Sequence, residues 1–265
     1  MNDQLEDPRT AYAPVLSAIR PLYGRFLDSG PIQLVPSHRQ AGHLLHGWYL
    51  RVSRSVDALL TLEEVSLTEE AAPIRRCIIE HVLGLKWIAA RGNEVVDTIA
   101  RGHRRDADLR LKALQAANWT SVDLASMQQI IDELDQLQND ARNDYLLNFA
   151  SRRTEFGDEH DLPGYLAETA LTHPTYQSAI NYFDVSSGSP KALPGPRLSI
   201  PSVPFATTQL LEALLAVRQA FDPRPWEAEL DAALETYRSV TDSVRKQDGL
   251  PPIDWNTGRL AEPQE

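Results

Sequence analysis

Apolar residues recur at three- and four-residue steps through almost every long segment of this 265-residue chain. No stretch of six or more alternates as a strand would. That period commits the chain to helices whose apolar stripes must cover one another. The length suits one large domain or two small ones, enough to bury about three quarters of the unfolded surface. The expected fold is all-α, a multi-helix bundle.

The breaks between stripes divide the chain. Helices are expected over about 10–28, closed by Ser29-Gly30-Pro31, then 37–62, 68–90, 94–117 and 121–149. Thr68-Glu69-Glu70 reads as the start of the third, with Pro73 in its first turn. Arg91-Gly92-Asn93 stops it. A charged turn region over 150–164 leads to a short helix at 165–172, a break at His173-Pro174 and a helix to about 183. Pro190, Pro194, Pro196, Pro201 and Pro204 make 185–204 a loop that no helix can cross, with the length of a lid or linker. Closing helices follow at 205–221 and 225–247. The expected organisation is a helical bundle over 1–184, a proline-rich loop or lid over 185–204, a C-terminal helical hairpin packed on the bundle over 205–247, and a polar tail over 248–265.

Composition narrows the function classes. Lys and Arg total 26 against 37 Asp and Glu, a formal charge of −11, which disfavours extended DNA binding. The basic run Arg101, His103, Arg104, Arg105, Arg110 and Lys112 is diluted by Asp106 and Asp108 and reads as a solvated helix with intrahelical ion pairs. The acidic residues Asp132, Glu133, Asp135, Asp140 and Asp144 read as another solvated face. The single cysteine, Cys77, leaves no disulfide framework and no Cys-rich zinc site. No membrane span is expected, and the acidic start of the chain lacks a secretion signal, so a cytoplasmic setting is the expectation. Phosphate-loop, Gly-x-Ser-x-Gly and His-Glu-x-x-His patterns are absent.

The informative segment is 71–90. Ile74, Ile78, Val82, Leu85 and Ala89 form one face, while Leu83 and Trp87 sit near the opposite one. A helix apolar nearly all round belongs in the middle of a bundle, yet this one carries Arg75, Arg76, Glu80, His81 and Lys86. Arg76 and Glu80 are four apart, in line with Leu83 and Trp87. They are either an ordinary surface pair or part of a polar pocket with Trp87 as its apolar wall. His43 and His46 are three apart but lack the further ligands a metal site needs, so no metal is assigned and no cofactor follows. His103, Asp106 and Arg110 align with Val95, Ile99 and Ala113 on a stripe expected to face inward, unless a break at Gly102 changes the phase.

The run Ile74-Arg75-Arg76-Cys77-Ile78-Ile79-Glu80-His81-Val82, continuing to Lys86-Trp87, resembles the signature helix of an uncharacterised bacterial all-helical family known only as a domain of unknown function. The family carries a His-Pro or His-small-residue element about a hundred residues downstream, matched here by Thr172-His173-Pro174-Thr175-Tyr176. The resemblance spans roughly 35–185. It implies an all-α fold with Arg76, Glu80 and His173 as neighbours, and it carries no established activity. The residue before a proline is pushed out of the α region, so His173 sits at a break where it could act as acid, base or ligand.

The expected function is binding or transformation of a small polar or anionic molecule. Arg76, Trp87, His46 and Tyr176 would be ligand-binding, and Glu80, His173 and His81 catalytic. One alternative is a dimeric helical ribonuclease of the HEPN type, whose sites use Arg-x4–6-His. Arg76 with His81, Arg75 with His81, Arg39 with His46 and Arg153 with His160 fit that spacing, though 22 arginines and seven histidines produce such pairs by chance. A homodimer belongs to that alternative. The other is a non-catalytic interaction or regulatory module.

Overall fold

Helix α4 (Ala72–Arg91) organises the molecule because it can be buried on almost every side. The computed structural model describes residues 8–31, 33–119, 121–135, 141–158, 161–184, 187–191, 201–255 and 259–260. Within them the chain is predominantly helical, with two-residue β ladders at Phe183–Asp184 with Ser189–Pro190 and at Ile253–Asp254 with Arg259–Leu260 and a single bridge between Leu34 and Phe221. The all-α expectation holds. Most of the expected loop over 185–204 lies outside the described residues.

Helices α1 (Pro8–Ile19) and α2 (Leu22–Asp28) replace the single first helix expected from the stripe. Pro21 divides them, lacking an N–H and restricting Arg20 before it. Helix α3 (Gly42–Glu64) buries Leu45, Tyr49, Val52, Val56 and Leu59 and lies along α4. Gly84 permits that approach: a Cβ there would stand 2.5 Å from Cζ3 of Trp48. Helix α4 begins at Ala72 rather than at a Thr68 cap. The Thr68 carbonyl instead accepts a bond from Arg75 Nη2 at 2.9 Å. At its other end Gly92 adopts φ 55°, where a Cβ would collide with the Ser37 carbonyl, so only glycine fits this stop.

Helix α5 (Val95–Ala116) runs unbroken through Gly102, against which Leu147 packs. Its buried positions are Val95, Thr98, Gly102, Ala107 and Leu111. His103, Asp106 and Arg110 are therefore solvent-facing, correcting the inward stripe. The inward side is set by the Leu147 contact at Gly102 and by a small second core of Ala107, Leu111 and Ile131 with α6 (Leu124–Leu134). The basic run is held by partners on two levels. Lys112 pairs with Asp108 within the helix, whereas Arg101 reaches Asp144 and Arg104 reaches Asp135. Of the acidic face, Asp140 lies outside the described residues.

The single helix expected over 121–149 is instead α6, a 3₁₀ segment at Ala141–Leu147, and α7 (Phe149–Phe156) capped by Asn148. The Asn148 carboxamide takes the Ala150 N–H, which favours a new helix start over continuation. Helices α8 (Asp161–Thr172) and α9 (Tyr176–Ile180) meet at the His173-Pro174 break, and Thr175 with Ser178 forms a capping box there. Helix α10 (Ser202–Val217) buries Phe205, Ala206, Leu210, Leu211, Ala213, Leu214 and Val217 against α1, α3 and α4. Helix α11 (Glu227–Gln247) lies chiefly on α1. So α10 is a member of the main core rather than one arm of a hairpin laid on it, because its sequence is apolar on too many sides to sit on a surface. No helix among the described residues is long and apolar enough to cross a membrane.

Candidate functional site

Two adjacent arginines on α4 point in different directions, and the site follows from that. Arg75 turns inward against α8, where its Nε lies 2.9 Å from Glu168 Oε1; the two side chains are 1% and 4% exposed. Such a pair is costly to bury and more costly to break. It fixes α8 in register on α4. Tyr165, one turn before Glu168, and His173, just past the helix end, are thereby carried to the next position outward.

Arg76 occupies that position. Its Nε donates to Glu80 Oε1 at 3.1 Å, and its Nη1 lies 2.9 Å from His173 Nε2. A guanidinium only donates, so His173 Nε2 accepts and the ring carries its proton on Nδ1. The Arg76 Cζ stands 4.9 Å from the Tyr165 ring centroid, within cation–π range. Tyr165 is in turn stacked on Phe149 at 3.7 Å and 18°. Arg152 lies behind, donating through Nη1 to the carbonyls of Leu146 and Leu147. Burial lowers the Arg152 pKa, with the Glu80 carboxylate and Tyr165 opposing.

The cluster is half-open. Arg76 is 25% and Glu80 34% exposed, so the pair stands at the edge of the bundle and not in its core. Two donor atoms there, Arg76 Nη2 and His173 Nδ1, make no hydrogen bond among the described residues. Arg76, Glu80 and His173 are thus the three predicted residues that the fold brings together. Tyr165, Phe149 and Arg152 complete the surroundings and were not singled out from the sequence. Their signal was weak, since an aromatic residue in a short helix resembles any core residue.

The other predicted residues lie elsewhere. Trp87 is 1% exposed and packs in the main core, so it walls no ligand site. The stripe Arg76, Glu80, Leu83, Trp87 simply runs from the bundle edge inward. Tyr176 is 77% exposed. His46 Nδ1 is hydrogen-bonded with the Tyr23 hydroxyl at 2.9 Å, and burial has pushed the Tyr23 pKa up to about 12. His43 is bonded to the Gln40 carbonyl. Among the described residues no three His, Cys, Asp or Glu side chains gather to hold a metal.

His81 belongs to a second small constellation. Its Nδ1 donates to the Cys77 carbonyl at 2.8 Å and lies 3.5 Å from Cys77 Sγ, while the Trp48 ring meets it edge-on. The His81 hydrogen bond lowers the Cys77 pKa, burial opposes it, and Arg51 assists. Burial works against the His81 cation, but the bonds to Cys77 outweigh it and the His81 pKa rises. Alkylation of Cys77 by iodoacetamide is therefore expected to turn on at lower pH than for an ordinary thiol. His81→Ala should move the midpoint of that rate profile back up. A midpoint at the ordinary value in the unmodified protein would contradict the arrangement. With His81 engaged here, Arg76 on His173 and Arg75 on Glu168, neither Arg75 nor Arg76 meets His81. His46 bonds Tyr23 and not Arg39, and His160 lies outside the described residues.

A family described as a family of unknown function (DUF5677) matches residues 42–190, more than half of the chain. The chain belongs to that family. The matched span holds α3 to the first β ladder, with Arg76, Glu80 and His173 all inside it and α10 and α11 outside. No curated protein and no solved structure matches the chain.

Proposed function

We propose that the α4–α8 edge binds a small oxyanion, a phosphate or a carboxylate, with Arg76 as its principal ligand. The observation that carries this reading is the pair of unspent donors, Arg76 Nη2 and His173 Nδ1, at one half-open edge. Arg76 is held over the Tyr165 ring and anchored by Glu80, so little side-chain freedom is lost when an anion docks. His173, in its Nδ1-protonated form, offers a second donor and is the group placed to exchange a proton with a bound molecule. Glu80 orients the guanidinium. This is a binding site with an acid–base group beside it, and a half-exposed one, so its ligand stays in contact with water.

The test is titration of the full chain with inorganic phosphate and, separately, succinate, followed by NMR of the imidazole C–H signals. The His173 signal is assigned by its loss in His173→Gln. Saturable movement of that signal is expected, and Arg76→Ala should weaken affinity by about 10- to 100-fold, the value of one charge-assisted hydrogen bond. The melting temperature should fall only slightly, because Arg76, its half-exposed partner Glu80 and its contacts to His173 and Tyr165 all stand at the edge of the bundle. Unsaturable or absent movement with both anions, or unchanged affinity in Arg76→Ala, would overturn the reading.

A further inference from the structure

Residues of α10, α11, the start of α8 and the Ile253–Asp254 strand with Trp255 line a cavity of about 510 Å³, within the usual range for small-molecule sites. Most of its wall is apolar, with Phe205, Leu211, Leu215 and Leu234 in it. An apolar wall rewards any apolar body of the right size, so the choice of ligand falls to the polar groups among it.

All but one of those polar side chains are already engaged. At the start of α8 the Asp158 N–H donates to Asp161 Oδ2 at 2.9 Å and the Asp161 N–H to Asp158 Oδ1 at 3.2 Å. Glu212 Oε2 is paired with Lys86 Nζ at 2.8 Å. Thr208 donates to the Pro204 carbonyl at 3.0 Å and shares a hydrogen bond of 2.8 Å with the Tyr237 hydroxyl. Trp255 Nε1 donates to Asp242 at 3.1 Å. The exception is Gln209, which lines the cavity at 7% exposure. Neither its buried Oε1 nor its Nε2 makes a hydrogen bond among the described residues. Buried polar groups are almost always paired, and this unpaired one stands in the wall of a cavity. With neither end bonded, the protein selects neither orientation of the carboxamide, and a half-turn of its last torsion exchanges the oxygen for the NH2. The missing partner is therefore a group that can both donate and accept.

We infer that this cavity binds a small neutral molecule with a carboxamide or lactam on an apolar, aromatic-sized body. Such a group meets the Gln209 carboxamide edge to edge, donor to acceptor and acceptor to donor, while the body fills the apolar wall. Neutrality follows from the other side chains. Lys86 and Glu212 match each other, and no lysine or arginine lines the cavity among the described residues. A charged ligand would give up its water for a wall that offers it no open counter-charge at Gln209. The α10 and α11 residues of the wall lie outside the family match, so this site is a property of the chain's C-terminal part joined to the family body.

Four probes of one size test this on the full chain by isothermal titration calorimetry: 3-phenylpropanamide, the ketone 4-phenylbutan-2-one, 3-phenylpropionate and 3-phenylpropylamine. The amide is expected to bind saturably, and the ketone, which keeps the acceptor but lacks the donor, about tenfold more weakly. Both charged probes should bind more weakly still. Gln209→Met, close in size, should lower the amide to the level of the ketone and leave the ketone unchanged. Its melting temperature should hold or rise, because it removes an unbonded buried polar group. If that variant fails to fold, the ratio of amide to ketone affinity in the unaltered chain decides the matter. Arg76→Ala should not affect amide binding, which separates this site from the oxyanion edge. No saturable amide binding, equal affinity for amide and ketone, tighter binding of either charged probe, or an amide affinity indifferent to Gln209→Met would overturn the proposal.

Discussion

Arg75→Met is expected to destabilise the folded chain by about 3–5 kcal/mol, the effect of leaving the partner of a buried ion pair uncompensated. Glu168, 4% exposed, would then hold its charge without Arg75 and with one oxygen already lacking a hydrogen bond. Glu168→Met should be comparably damaging for the converse reason. The double variant is the informative one. Arg75 Nη1 is also without a partner, so the pair is incompletely satisfied as it stands. Replacing both with methionine should recover most of the stability, because two apolar side chains of similar reach can fill the same space. Denaturant midpoints of the three variants check this. Additive losses in the double variant would show that the two residues do not act as a pair. Either single variant should also weaken oxyanion binding, since α8 carries Tyr165 and His173 to Arg76.

Trp87→Ala is the second large expectation, a loss of about 3–5 kcal/mol as for other buried large aromatic residues truncated to alanine. The side chain is 1% exposed among the helices that pack on α4, and the hole it leaves can close only partly. At temperatures where the variant is folded, its oxyanion affinity should match that of the unaltered protein. A stable Trp87→Ala protein that has lost oxyanion binding would return Trp87 to the ligand wall that its place in line with Arg76 and Glu80 first indicated. Thermal unfolding by circular dichroism with the phosphate titration distinguishes the two.

That contrast shows where sequence reading stops. Positions four apart lie on one stripe, and the stripe Arg76, Glu80, Leu83, Trp87 was placed correctly on α4. Spacing says nothing about where along the helix a neighbour ends. Here Arg76 and Glu80 remain 25% and 34% exposed while Leu83 and Trp87 are buried, so one stripe holds both a half-open ion pair and a buried tryptophan. Arg75 illustrates the same limit. A charge on an apolar face gives no notice of its partner, and Glu168 lies 93 positions away on a helix whose register only packing sets.

Local chemistry was legible wherever the physics is local. Glycine placed the C-terminal end of α4 before Gly92, and proline placed the end of α8 before His173-Pro174. Sequence reading failed where local signals compete, as at Pro21, which splits the first helix, and at Asn148, which starts a new helix inside an apolar stripe. His173 was legible because proline dictates the break beside it. His81 was misplaced because its nearest acceptor, the Cys77 carbonyl, is one turn away on its own helix and holds the ring there.

By itself, then, the sequence determined an all-helical chain, a central helix buried on nearly every side, and membership of a family of unknown function. Those follow from backbone period, from proline and from short motifs, all properties of neighbouring residues. Only the tertiary structure decided that α10 runs through the core, that the Tyr165 ring lies beneath Arg76, and that Gln209 and Glu212 share a cavity with Asp158 and Asp161. Each of these joins segments far apart in the chain, and their meeting is chosen by the collective burial of many side chains rather than by any one interval of sequence.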